Sequence, residues 1–299
     1  MGKREKKLGK NIEAGAKRVK GILSQAQRSV FGATAQYTML KNFSTNASVR
    51  NKLFVALGKE YKALDSKIND WVKSEVDVTG SDWWNYAKAD LPKGEVAGTF
   101  GAFSEKHIAE IIGYINPSTV NTQIAMNAQI AGSLTNNIRV IRAAVATTLA
   151  EGAVEGLTNR EMSKRMQAKV LKASGEFKFI DKAGRSWKAD SYFGMLNRTL
   201  HAEAARRTYI TTATTELGYD LYTIAGGVTG SSAGKSGDPC DDWVGRPISM
   251  TGETPGYPTY DDAKAAGVFH PNCVHYVRAL LPREVEPAEK AYEARGRNI

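Results

Sequence analysis

Seven apolar residues, Val49, Leu53, Leu57, Tyr61, Leu64, Ile68 and Trp71, recur at spacings of three and four. Positions so spaced share a face only in an α-helix, and the stripe predicts one long helix over about residues 46–76. Ile130, Leu134, Ile138, Ile141, Val145 and Leu149 predict a further helix by the same rule. At 299 residues, with 42% hydrophobic and 24% charged side chains, the chain can bury a sizeable core as one large domain or two ordinary ones.

Between those helices the signals are looser. Gly80, Pro92, Gly94, Gly98 and Gly101 read as turns over 78–101, around an aromatic cluster, Trp83-Trp84-Asn85-Tyr86, that is expected to pack against the long helix more than to dock a partner. The uncharged stretch 111–138 has the length of a membrane span. It holds seven Asn and Gln side chains and Pro117, and amides without partners are costly in hydrocarbon, so no span is expected. The first residues lead into no apolar core of a signal peptide, and secretion by that route is not expected.

The net charge of +10 is unevenly spread. Residues 1–28 carry nine basic side chains, Lys3, Arg4, Lys6, Lys7, Lys10, Lys17, Arg18, Lys20 and Arg28, against Glu5 and Glu13. A basic arm of this kind neutralises phosphates or an acidic protein surface without reading sequence. The plainer alternative is a solvated, frayed terminus.

A second unit starts near Gly156. Thr158-Asn159-Arg160-Glu161 is a capping box opening a helix through Val170. Residues 177–187 alternate around an Asp-to-Gly turn and predict a small hairpin. Asp190 or Ser191 then caps a helix running to about Leu217, and 219–223 reads as a strand. Gly226–Gly237 reads as a mobile loop, and Tyr260–Ala266 as a short helix stopped by Gly267.

Several residues in this unit occur in an order that resembles the tailed-phage head morphogenesis proteins, the Mu F-like and minor capsid protein 2 group. They are Gly184-Arg185-Ser186-Trp187, Asp190-Ser191-Tyr192-Phe193-Gly194-Met195, Arg198-Thr199, Glu203-Ala204-Ala205-Arg206, Thr215-Glu216, Cys240 before Trp243-Val244-Gly245-Arg246, and His270-Pro271-Asn272-Cys273-Val274-His275. The resemblance covers residues 156–282, a little under half of the chain. It implies a non-enzymatic minor component of the phage head, inside the particle near the portal, meeting the portal or major capsid protein and packaged or ejected double-stranded DNA. It also implies a virion location after assembly in the host cytoplasm, with no membrane partner. Where that family often carries Cys-x-x-Cys, this chain has Cys240-Asp241-Asp242-Trp243, and it has His275 where the family has a final Cys.

Both cysteines and two of the four histidines still lie within one short span. Cys240, His270, Cys273 and His275 are a two-sulfur, two-nitrogen set of the kind that closes a tetrahedral structural Zn(II) site. Two buried thiols with hydrogen-bonded histidines, or a Cys240–Cys273 disulfide, use the same residues. About 25 residues rich in Gly, Pro and Asp separate Gly245 from His270, and a loop that long is expected to have its ends pinned. An enzymatic reading, a virion-carried effector or zinc-dependent hydrolase or deaminase, draws on His201-Ala202-Glu203 and Pro239-Cys240. It lacks its last thiolate, because indole at Trp243 cannot ligate zinc, and His201 and Glu203 point to different helix faces.

The fold class expected is α+β, mostly helical, with a helical N-terminal region and a small α+β C-terminal domain of short strands. Residues 1–30 form the basic arm, 31–155 the helical region, 156–285 the head-morphogenesis-like domain and 286–299 a polar tail.

Overall fold

The computed structural model describes residues 3–40, 46–90, 99–107, 109, 122–175, 178–180, 186–226, 239–270, 272–273 and 275–296. Its helices are α1 (Lys3–Thr38), α2 (Ala47–Asp90), α3 (Thr122–Glu155), α4 (Asn159–Gly175), α5 (Ala189–Ile210), α6 (Tyr260–Ala265) and α7 (Pro282–Glu293), with a further helical stretch at 100–107. A hairpin pairs β1 (Lys178–Ile180) with β2 (Ser186–Lys188), and a three-stranded antiparallel sheet has the order β4 (Pro247–Ser249), β3 (Leu221–Ala225), β5 (Tyr276–Ala279). This is the mostly helical α+β class the sequence predicts. The glycine-rich loop after Gly226 falls on residues outside those described, as does the turn of the hairpin.

The chain divides into two compact units. One comprises Ala16–Trp71 and Ile124–Gly194. Here the stripe of α2 is buried as its spacing requires, with Leu53, Leu57, Leu64 and Ile68 shielded from solvent. Trp71 meets Phe193 edge to face, and Lys169 pairs with Glu151 across the α3–α4 connection. The capping box at the head of α4 forms, with Thr158 N–H donating to Glu161 Oε2 at 3.0 Å and Glu161 N–H to Thr158 Oγ1 at 3.4 Å.

The other unit comprises residues 1–15, 72–123 and 195–299. Two expectations are corrected in it. The long helix does not stop near 76 but runs through Gly80 to Asp90. Gly80 is used there for packing: a β-carbon would sit 3.1 Å from Thr208 Oγ1 and 3.4 Å from Phe100. Helix–helix approach outweighs the weak helix propensity of glycine. The aromatic cluster expected to pack against the long helix is instead part of it: Trp83 and Trp84 lie on this extension, and both are buried. Farther on, α7 carries Tyr292, which is buried and donates its hydroxyl to the Asp242 carbonyl at 2.6 Å.

The basic arm is the first part of α1, and its inner face is built into the unit. Arg4 forms a two-nitrogen pair with Asp90, which also accepts from the Tyr209 hydroxyl. Lys7 lies 3.3 Å from Asp82, and Asn11 donates to Asp82 at 2.8 Å. Gly15 sits against buried polar tips: a β-carbon there would collide with Asn197 Oδ1 and lie 2.5 Å from His201 Nε2. Neither tip is loose, since Asn197 donates to the Ile12 carbonyl at 2.7 Å and His201 Nδ1 is 2.6 Å from Thr79 Oγ1.

The segment between Gly245 and His270 is organised by a carboxylate as well as by its ends. Asp220 accepts from Ser249 Oγ (2.6 Å), from Thr251 N–H and Oγ1 (both 2.7 Å), and from Thr254 N–H (3.2 Å) and Oγ1 (2.5 Å). Partial burial raises its pKa, but the bonds from Ser249, Thr254 and Thr251 outweigh this and hold it well below the ordinary carboxylate value.

Two outcomes follow for unfolding measurements. Gly15→Ala is expected to cost about 1–3 kcal/mol by overpacking, whereas Gly9→Ala, with nothing within 4 Å of the new methyl, is expected to gain about 0.5–1 kcal/mol. Because the folded-state pKa of Asp220 is depressed, its contribution is complete above the unfolded value near 3.9 and fades as pH falls below it. Asp220→Asn is expected to lower stability in urea by about 1–3 kcal/mol at pH 7 and to lose much less between pH 5 and pH 3 than the parent chain.

Candidate metal centre

Helix α5 aligns Arg198, Thr199, Glu203 and Arg206 toward the chain segment that carries the histidines and cysteines. Arg206 is almost wholly enclosed, pairs with Glu203 one turn earlier, and donates from Nη1 to the His275 carbonyl at 2.5 Å. Its guanidinium lies 4.6 Å above the Phe269 ring. Glu203 also has Arg207 within 3.9 Å, and Arg207 covers Tyr260 at 5.0 Å. Arg198 Nε donates to Asn272 Oδ1 at 2.8 Å, and the Asn272 N–H donates to Thr199 Oγ1 at 3.1 Å. The motif residues of α5 therefore hold the His270–His275 segment by its backbone and its asparagine.

Cys240 opens a tight turn whose carbonyl accepts from the N–H groups of Trp243 and Val244 at 3.0 and 3.1 Å. Arg246 stacks over Trp243 at 4.5 Å, and Arg295 donates to the Val244 carbonyl at 3.0 Å. The turn delivers Cys240 Sγ to 3.6 Å from Cys273 Sγ, and Cys273 Sγ lies 3.3 Å from His275 Nδ1. The ligand atoms of Cys240, Cys273 and His275 all lie within 4.8 Å of one another, and all three residues are buried. The pKa of the Cys273 thiol is held below its ordinary value, first by its contact with Cys240 and then by His275 and the Arg206 cation, with burial opposing.

Of the four residues nominated as ligands, three converge. His270 is half-buried, tied to Cys273 by a bond from the Cys273 N–H to its carbonyl at 2.9 Å, and its ring is not one of the three clustered groups. Neither cysteine is in a disulfide. The deaminase-like residues are not gathered here: His201 faces Thr79 and Glu75, Glu203 faces Arg206, and neither joins the cluster.

The nominated basic residues divide. Arg4 and Lys7 face Asp90 and Asp82, with Arg4 also lying 4.9 Å over Tyr86. Lys3, Lys6, Lys10, Lys17, Arg18 and Lys20 are exposed on α1. Sequence reasoning did not single out Asp220, whose partners lie some thirty residues away, or the Thr79–His201 bond. Glu203 and Arg206 stand at the i, i+3 spacing of a helix pair, which does signal their contact.

The model of the family "phage minor capsid protein 2" matches residues 116–297, more than half of the chain, and the chain belongs to that family. The match begins forty residues before the segment carrying the quoted motifs and takes in α3. No curated protein and no solved structure gives a match. Among the described residues no helix is long and apolar enough to cross a membrane.

Truncating the arginine at the centre tests the arrangement. Arg206→Ala leaves Glu203 buried without its closest cation and is expected to cost about 3–5 kcal/mol. Arg206→Lys, which keeps the charge but cannot span Glu203 and the His275 carbonyl as a fork, is expected to recover only part of that in chemical unfolding.

Proposed function

We propose that this minor capsid protein is a structural, non-enzymatic part of the particle, seated inside the head near the portal and touching double-stranded DNA without sequence preference. The family match supports the virion role, and the observation that carries the DNA contact is the charge on α1. Lys3, Lys6 and Lys10 stand at i, i+3 and i+7 on its exposed side, away from buried Leu8, Asn11 and Gly15, and Lys17, Arg18 and Lys20 are exposed farther along. Cations on a helix surface meet phosphates by neutralising charge, without reaching base edges. Arg4 and Lys7, being paired within the fold, are left out of this contact. The portal or major capsid protein is the protein partner.

The cofactor consistent with a structural role is Zn(II) at Cys240, Cys273 and His275. Two thiolates and an imidazole select a borderline-soft cation, and burial favours holding over turnover.

Two measurements test the reading. Lys3→Glu, Lys6→Glu and Lys10→Glu together are expected to weaken duplex binding at low salt and to flatten its dependence on the logarithm of salt concentration, by about 0.9 in slope for each phosphate no longer neutralised; an unchanged slope removes these lysines from the DNA-facing surface. Particles purified from lysates are expected to contain the full chain, and phage lacking it to form heads that deliver DNA poorly. Its absence from particles would overturn the virion role.

A further inference from the structure

The three clustered ligands leave a tetrahedral ion one position short. We infer that His270 is the fourth ligand, turning its imidazole inward when the ion binds, so that the centre is a closed two-sulfur, two-nitrogen site. The inference rests on the structural-zinc reading and goes beyond the three groups that already converge.

The charge is balanced without help from solvent. Two thiolates neutralise a divalent ion, and the adjacent Glu203–Arg206 pair is neutral as a whole, so a loaded site buries no net charge. An open fourth position is the mark of catalytic zinc, which keeps a water there. Here Cys240, Cys273 and His275 are 0%, 2% and 7% exposed, which gives such a water no route to a substrate. A protein ligand is the remaining way to complete the sphere.

The backbone around His270 is shaped for that task. Phe269 and Asn272 take left-handed conformations, with φ of 61° and 70°. Such values are costly for a side chain as large as phenylalanine and persist only where surroundings fix them. Both are fixed: Phe269 stacks on Tyr260 at 5.2 Å beneath Arg206, and Asn272 is held by Arg198 and Thr199. The pair brackets His270, and the bond from the Cys273 N–H closes the turn, placing His270 three residues before a ligand on a rigid frame. His270 has a contact of its own at present, which it would exchange for the ion.

The test uses the full chain, with zinc content measured by elemental analysis and coordination read from the visible spectrum after exchange for Co(II). The parent is expected to hold one zinc per chain and to give a four-coordinate Co(II) spectrum. His270→Ala is expected to bind zinc more than about tenfold more weakly, a loss at least as large as that from removing an outer-sphere partner, and to change the Co(II) spectrum. His270→Cys, which supplies another zinc ligand, is expected to restore four-coordination with stronger sulfur-to-metal absorption; if His270→Ala does not fold, this variant decides alone. Unchanged affinity and spectrum in His270→Ala, or a His270→Cys spectrum without the added sulfur band, would overturn the fourth-ligand inference and leave the three-ligand zinc reading standing. A parent chain that takes up no zinc when supplied with it would overturn both while leaving the virion role untouched.

Discussion

The C-terminal unit is organised around one buried cation. Arg206 binds the Glu203 carboxylate, the carbonyl of His275 and the face of Phe269 at once. An enclosed guanidinium is costly unless its charge and donors are met; here the carboxylate meets the charge and takes one nitrogen, the carbonyl takes another, and Nε alone is left without a hydrogen bond. The same group places a positive charge beside Cys273. Helix α5, the end of the sheet at β5 and the cysteine turn thus share a single electrostatic centre, and moving any one of them uncovers a charge.

How much of this was legible depends on the range of the signals. The α2 stripe, the α4 capping box and the short α6 helix are written in neighbours three or four residues apart, and each forms as the spacing requires. The error at Gly80 has the opposite origin. Local propensity marks a break, but Thr208 and Phe100, both distant in sequence, reward the absence of a side chain. Asp220 was invisible for the same reason: one aspartate before a strand gives no sign that Ser249, Thr251 and Thr254 will fold back onto it.

The cysteine–histidine cluster falls between these cases. Residue type and the shared span were enough to nominate four ligands, and the fold gathers three of them. Composition alone could not say that α5 would supply the scaffold, because Arg198, Thr199 and Arg206 look like ordinary helix-surface residues until their contacts with Asn272 and His275 are seen. In the basic segment the sequence counted charge correctly and gave no view of its direction. Aspartates on α2 take Arg4 and Lys7 inward, while Lys3, Lys6 and Lys10 on the same helix are exposed.

The inward face of that first helix has a consequence for biosynthesis. Arg4 completes its site only with Asp90 and Tyr209, and Tyr209 in turn accepts from the Ala279 N–H at 3.2 Å. A ribosome adding about 5–20 residues per second makes Tyr209 roughly ten to forty seconds after Arg4. Through that interval the amphipathic start of α1 has no permanent seat, and its apolar side, with Leu8, is available to any other surface. That unit therefore cannot close until β5 has been made, which ties the seating of α1 to the appearance of Tyr276–Ala279.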